Sequence, residues 1–324
     1  MNSAPSSWAW DLYWHADRLE SCVATQGHEA AQALRQVWCD WLSRLPDRTR
    51  LLDIGSGNGA LSALAAEISQ SATKDFDLHA IDAAAIDPHR FASSNAARLR
   101  QVTFLGGVLM QDMPFRDGFF DAAMAQYAIE YAPLDPSIRE IARILRSGGP
   151  FRFLVHGAGS VLASRSRDEL AGLEAISSSD ILPLMKRYLP DLARALREGV
   201  QTSTDAAAGL DTLRQISERL AGLAIAPAGR AIIGRFLKDA AQLFTRSPEL
   251  GETGTREAIE GMALQVRAQS TRLHDLLAAA RDEPGIEGMR ARMAQCGLAI
   301  DACQRALVGA TRVEIGWWLE GFKS

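Results

Sequence analysis

From residue 50 to residue 155, short apolar runs bounded by turn residues alternate with stretches whose apolar positions recur every three or four residues. Leu51-Leu52-Asp53-Ile54 predicts a first buried strand and Asp77-Leu78-His79-Ala80-Ile81-Asp82 a second. Gln101 to Leu105, Phe119 to Met124 and Phe151 to Val155 predict three more. Between them Ala60 to Ile68, an alanine-rich run ending at Arg100, and Ile138 to Leu145 carry helical spacing. The last of these stops at Ser147-Gly148-Gly149-Pro150, a turn that no helix crosses easily. Strands alternating with helices predict a parallel, doubly wound sheet.

On either side the pattern changes. Residues 8–45 read as helical and unusually aromatic, with Trp8, Trp10, Tyr13, Trp14, Trp38 and Trp41. After Gly159 no strand is predicted until the tail. Asp180 to Arg187 reads as a short helix ending near Tyr188-Leu189-Pro190, followed by Asp205 to Leu223, Arg230 to Phe244 and Thr255 to Arg281. Glu283-Pro284-Gly285 breaks the pattern before a short helix, Ile286 to Cys296. Leu298 to Leu307 and Val313 to Phe322 then return to strand character. A sheet that stops and resumes predicts a helical insertion into one α/β domain. The expected divisions are 1–47 (an aromatic helical segment), 48–159 (the core), 160–285 (the insertion) and 286–324 (completion of the sheet).

Composition narrows the partners. A net charge of −4 over 324 residues offers no global positive field for nucleic acid or anionic lipid. No apolar run approaches the ~20 residues needed to span a bilayer, and Met1 to Trp14 lacks the basic-then-apolar order of a signal peptide. The cysteines at 22, 39, 296 and 303 form no CxxC pair and stand beside no histidine at metal-ligand spacing. Reduced thiols, a cytoplasmic location, no membrane and no metal are therefore expected.

The candidate chemistry begins at Leu51-Leu52-Asp53-Ile54-Gly55-Ser56-Gly57-Asn58-Gly59, an apolar strand running into a glycine turn whose backbone passes close to a ligand. Asp82 ends the second strand. Met113-Pro114-Phe115-Arg116-Asp117-Gly118-Phe119-Phe120-Asp121 and Ile138-Arg139-Glu140-Ile141-Ala142-Arg143-Ile144-Leu145-Arg146-Ser147-Gly148-Gly149 follow in order. Together with the tail Gly316-Trp317-Trp318-Leu319-Glu320-Gly321-Phe322-Lys323, this series resembles the class I S-adenosylmethionine-dependent methyltransferases across about half of the chain. The resemblance implies an α/β, Rossmann-like seven-stranded methyltransferase sheet with an all-helical insertion between strand five and the final strands. It implies S-adenosyl-L-methionine as cofactor and S-adenosyl-L-homocysteine as product. Asp53, Gly55, Ser56, Gly57 and Asn58 would then line the methionine end. Asp82 would take the ribose hydroxyls, with Asp87 of Ala85-Ile86-Asp87-Pro88 as its rival. One departure stands out: where the family often has Gly-Asp-Ala, this chain has Val108-Leu109-Met110. Adenine would then be held by backbone groups, by Gln111 or Asp112, or by Leu109 and Met110.

Ligands in open parallel sheets sit at the carboxyl ends of the strands. Gln126, Tyr127, Glu130 and Tyr131 follow strand four and His156 follows strand five. Gln126 is assigned to the cofactor; Tyr127, Glu130 and His156 are candidate catalytic residues. A neutral imidazole at His156 suits removal of a hydroxyl proton, although a loop histidine without catalytic duty fits the position equally well. Glu130 reads equally as a helix-start carboxylate. Trp10, Tyr13, Trp14, His15 and Arg18 could form a lid, with Arg18 pairing with the cofactor carboxylate; a helix packing aromatics onto the sheet edge is the plainer reading. There is no Asn-Pro-Pro-Tyr and no Pro-Cys nucleophile, which leaves a small-molecule hydroxyl, amine or carboxyl acceptor. The insertion would serve as a lid or a homodimer surface. A protein or RNA acceptor docked on the helices, or a non-catalytic scaffold, are the alternatives.

Overall fold

The structure, a computed structural model, describes residues 7–19, 21 and 28–324, the side chains of His28 and Ser93 excepted. Cys22 and parts of the 1–47 segment lie outside the described residues. Two compact units are present: Met1–Ser164 with Asp275–Ser324, and Arg165–His274.

The first unit is built on a seven-stranded sheet. Its strands are β1 (Arg50–Ile54), β2 (Asp77–Asp82), β3 (Val102–Gly106), β4 (Ala122–Gln126), β5 (Pro150–Val155), β6 (Leu298–Val308) and β7 (Val313–Lys323). They lie in the order β3-β2-β1-β4-β5-β7-β6. The first five are parallel, and β7 runs antiparallel between β5 and β6. This is the seven-stranded Rossmann-like arrangement that the resemblance implies. The central strands are apolar throughout because both of their faces are covered. Alternation then sends Leu51 to one core and Leu52 and Ile54 to the other. Leu51 packs with Leu34, Trp38 and Leu42 of α2 (His28–Arg44) and with Leu61 and Leu64 of α3 (Ala60–Ser71). Leu52 packs with Phe120, Phe151, Phe153 and the inner residues Ile138 and Ile141 of the helix Leu134–Ile144. Ahead of these, α1 (Ser7–Trp14) begins the described chain.

Two elements differ from expectation for local reasons. The helix predicted up to Arg100 is broken into α4 (Pro88–Phe91), a 3-10 turn at Ser93–Asn95 and α5 (Ala96–Leu99). Asp87 caps the first piece by accepting from Arg90 N, and polar Ser94 and Asn95 interrupt the apolar face. The fourth strand starts at Ala122 rather than Phe119. Phe119 and Phe120 belong instead to an aromatic cluster with Phe115 and His79, and Phe120 bridges to Leu145. Continuing in chain order, α6 is Leu134–Ile144 and α7 is Val161–Ser178. The helices α8 (Ile181–Glu198), α9 (Thr204–Ala221), α10 (Pro227–Ala279) and α11 (Glu283–Gln295) follow.

The second unit is helical. Its core gathers Leu173, Ile176, Met185, Leu189, Ile216 and Ile233. α8 was expected to stop before Pro190, but it runs through it. The missing N–H costs a hydrogen bond, yet Tyr188, Leu189, Leu192 and Ala193 continue one buried face across the site. α10 contains a non-helical residue at Gly251 (φ 68°), so the two predicted segments are continuous apart from that kink. No helix among the described residues is long and apolar enough to cross a membrane.

The β6–β7 hairpin depends on a close approach. A Cβ placed on Gly321 would lie 1.9 Å from Ala299 O on the neighbouring strand. Gly321→Ala should therefore destabilise the protein by roughly 1–3 kcal/mol, the cost of overpacking, read as a lowered denaturant midpoint. An unchanged midpoint would show that the hairpin yields freely.

Candidate functional site

A cavity of about 360 Å³ opens at the carboxyl ends of β1, β2 and β4, a volume suited to a small organic ligand. Its floor is the glycine turn. Gly55 N and Ser56 N donate to Ile81 O at 2.9 and 3.0 Å, and Gly57 N donates to Asp82 Oδ2 at 2.8 Å. Gly55 and Gly57 hold φ values of 68° and 51°, a conformation that side chains disfavour. There is no room for a side chain either. A Cβ on Gly55 would meet Ala128 Cβ at 2.3 Å, and one on Gly57 would meet the Trp14 ring at 2.3 Å.

Two carboxylates face this floor. Asp53 is buried, and its Oδ2 accepts from Ser62 Oγ at 2.6 Å. Burial pushes its pKa up to about 7, against the opposing Ser62 hydrogen bonds and with some repulsion from Asp82. Asp82 accepts from Gly57 N through one oxygen and from Ala84 N through the other, both at 2.8 Å. Burial pushes it up to about 6, less far because those two backbone donors favour its ionised form and despite repulsion from Asp11. Each oxygen of Asp82 keeps acceptor capacity for a donor in the cavity. The remaining wall is largely apolar: Leu109, 47% exposed, the buried Met110, and the rings of Trp10, Trp14 and Tyr131. Trp10 meets Tyr131 edge to face at 6.0 Å.

Of the residues singled out from sequence, Asp53, Gly55, Ser56, Asp82, Leu109, Met110, Gln126 and Tyr127 line the cavity. Gln126 is already engaged, its Oε1 accepting from Trp38 Nε1 at 2.7 Å. Tyr127 takes a left-handed backbone (φ 57°) and donates its hydroxyl to Ile315 O at 3.1 Å, on β7. Gly57 lies beneath Trp14. Asp87 caps α4 and does not line the cavity, whereas Asp82 does.

Four of the expected site residues lie outside the cavity wall. Asn58 is fully buried outside the cavity wall, its Nδ2 donating to Trp14 O at 2.8 Å and Arg18 O at 2.7 Å. Arg18 is exposed, its guanidinium 4.6 Å from the Tyr13 ring centre and outside the wall. Glu130 and His156 are both fully buried and neither lines the cavity. Glu130 Oε1 lies 2.7 Å from His156 Nδ1 and accepts from His156 N at 2.8 Å. Arg281 completes the tie: its guanidinium donates to Glu130 O at 2.9 Å and its N–H to His156 O at 2.8 Å. A base must reach the proton it removes, and this pair has no surface on the cavity. Sequence reasoning missed Ser62, Arg281 and Asp11, whose Oδ1 accepts from Ala85 N at 2.8 Å. Arg281 and Asp11 act across separations of 151 and 74 residues, and Ser62 reaches back nine residues from a helix to a strand, none of which a local pattern reports.

Residues 52–153 match the family model described as a methyltransferase domain. No curated protein matches the chain. Among solved structures, the chain is similar to a protein from Methanococcus maripaludis assigned as an S-adenosyl-L-methionine-dependent methyltransferase. The identity is 15%, with 93% of this chain and 90% of that chain covered at a TM-score of 0.43. It is similar to the geranyl diphosphate C-methyltransferase of Streptomyces coelicolor, solved with Mg2+, geranyl diphosphate and S-adenosyl-L-homocysteine. There the identity is 18%, the coverage 47% and 66%, and the TM-score 0.34. An S-adenosylmethionine-dependent methyltransferase from Mesorhizobium loti is 20% identical, with coverage of 41% and 55% and a TM-score of 0.30.

The buried Glu130–His156 tie makes a stability forecast. Glu130→Ala leaves two buried donors of His156 without their acceptor, at roughly 1–3 kcal/mol each. Equilibrium unfolding should show a loss of about 2–5 kcal/mol. A variant as stable as the parent would show that the pair holds nothing together.

Proposed function

We propose that this chain, which carries a class I methyltransferase domain across residues 52–153, moves a methyl group from S-adenosyl-L-methionine to a small-molecule acceptor and releases S-adenosyl-L-homocysteine. One observation carries the reading: a glycine floor that admits no side chain, flanked by the buried Asp53 and the half-buried Asp82, which both line the same cavity. Those residues fit such a cofactor. Asp82, fixed by Gly57 N and Ala84 N, has acceptor capacity for a pair of ribose hydroxyls. Asp53 places a second carboxylate for the amino end, oriented by Ser62. Leu109 and Met110 offer apolar surface to adenine in place of an aspartate.

When bound, the sulfonium supplies a methyl group already primed for in-line displacement. What remains for the protein is alignment and exclusion of water. Trp10, Trp14 and Tyr131 close the wall with aromatic surface, and the strained Tyr127 turns the chain at the end of β4 beneath them. The proposal therefore assigns positioning, rather than proton removal by His156 or Glu130, to this chain. A small acceptor is favoured because the cavity, walled by Trp10, Trp14 and Tyr131, holds about 360 Å³.

Titration calorimetry with S-adenosyl-L-homocysteine tests the reading. Binding is expected, and Asp82→Ala should weaken it by about tenfold or more, corresponding to ~1.5–3 kcal/mol for hydrogen bonds to a charged group. Asp87→Ala should leave affinity within about twofold, being a cap of α4. No heat and no thermal shift with the parent protein would sink the proposal.

Proton linkage gives an independent check. In the free protein burial pushes Asp53 up to about 7 and Asp82 up to about 6. A ligand with hydroxyl donors and an ammonium group favours their ionised forms and so lowers both values. Binding between these values should therefore release protons, and affinity should fall as pH drops through 7 and then 6. Calorimetry near pH 6.5 in buffers of different ionisation heat reads this directly, and zero proton release would contradict it.

A further inference from the structure

The segment of residues 7–19 has little of its own to hold it in place. α1 has 8 residues, short of the ~12–15 at which an isolated helix becomes even marginal. Its position is set by what it touches. The Trp14 ring lies against Gly57, and Trp10 stacks on Trp14 at 6.2 Å. Its polar ties among the described residues include exposed ones that water can compete for: Asp11 Oδ1 accepts from Ala85 N, His15 Nε2 lies 2.9 Å from Ala85 O, and Asp17 Oδ1 accepts from Ser94 Oγ at 3.0 Å.

The buried tie is different. Asn58, 0% exposed, sits inside the glycine turn and donates both N–H groups of its amide to Trp14 O and Arg18 O. These carbonyls lie at and just beyond the end of α1, where no further turn of helix supplies their partners. Among the described residues, Asn58 Oδ1 has no partner. An amide with a stranded oxygen is a costly choice for a buried position. It is explained by the need for two donors from one short side chain, which a serine, an aspartate or an alanine does not supply.

We propose that Asn58 is the positioning residue of the cofactor site: it fastens residues 7–19 over the glycine turn as a wall of the cavity, and its release precedes ligand exit. This rests on reading the cavity as an S-adenosylmethionine site. Asn58 touches no cavity space itself, yet its backbone neighbour Gly57 is held by Asp82 while its side chain holds the segment bearing Trp10 and Trp14. One turn thus carries the floor and anchors the wall.

Two measurements test it. In hydrogen–deuterium exchange without ligand, Asn58→Ala should speed exchange in residues 7–19 by about tenfold or more while β1 keeps its protection. In stopped-flow tryptophan fluorescence, S-adenosyl-L-homocysteine should leave Asn58→Ala about tenfold faster, with association changed less than about threefold. Asn58→Ser, which keeps one donor, should fall between the two proteins in both measurements. Parent-like exchange in residues 7–19 overturns the proposal, as does parent-like dissociation alongside raised exchange. Exchange raised across the whole sheet also overturns it, since that reports general loosening. If Asn58→Ala does not fold, Asn58→Ser decides by the same criteria. Failure of the parent protein to bind S-adenosyl-L-homocysteine strikes the cofactor reading, and the exchange measurement still decides the fastening.

Discussion

The hydrogen bond from Gly57 N to Asp82 Oδ2 is the interaction on which the candidate site depends. It joins the turn after β1 to the end of β2, and with the bonds from Gly55 and Ser56 to Ile81 O it fixes the floor of the cavity. The turn has no freedom to satisfy that contact another way. Its glycines hold positive φ, and the space beside Gly55 and Gly57 is already filled by Ala128 and the Trp14 ring. The sheet register, the turn and the aromatic wall therefore constrain one another. A change at any one of them moves the carboxylate that a ligand would meet.

The same arrangement stores electrostatic cost. Asp53 and Asp82 sit where water is scarce, and burial raises both of them well above the usual carboxylate range. At Asp82 part of that cost is offset by the Gly57 and Ala84 N–H groups that it satisfies, and at Asp53 by the Ser62 hydroxyl. The rest is readily explained if a donor-rich, positively charged ligand completes the site. The unfavourable free state then becomes part of the selectivity for that ligand. Perturbed carboxylates facing one cavity are a functional signature for this reason.

Much of this was legible in the sequence, and what failed had a common cause. The strands were readable because a sheet covered on both faces leaves continuous apolar runs, and the glycine turn because its spacing follows directly from such a run. Asp82 was found because it ends a strand. The boundaries that slipped were decided by tertiary contacts: Phe119 and Phe120 left β4 for the cluster around Phe115, and α8 crossed Pro190 because its buried face continues beyond it. Asn58, Arg18, Glu130 and His156 lie off the cavity wall for the same reason. Sequence position placed them near the ligand end of the sheet, but it carries no information on which way a side chain turns.

Glu130 and His156 show why that distinction matters chemically. They follow β4 and β5, where catalytic groups are expected, and a carboxylate beside an imidazole is a familiar acid–base arrangement. Here the carboxylate accepts from both the ring and the backbone of the same histidine, and Arg281 closes the network through two main-chain oxygens. The Glu130–His156 bonds join the ends of β4 and β5, and the two from Arg281 tie both to the segment entering α11. Trp317 Nε1 donates to Arg281 O and adds β7 to the same knot. The polar cluster therefore fastens the carboxyl ends of the strands to one another, directly behind Tyr127. That knot fixes the strained Tyr127 at the cavity edge while neither Glu130 nor His156 reaches the cavity, so their buried polar groups serve the framework around the site.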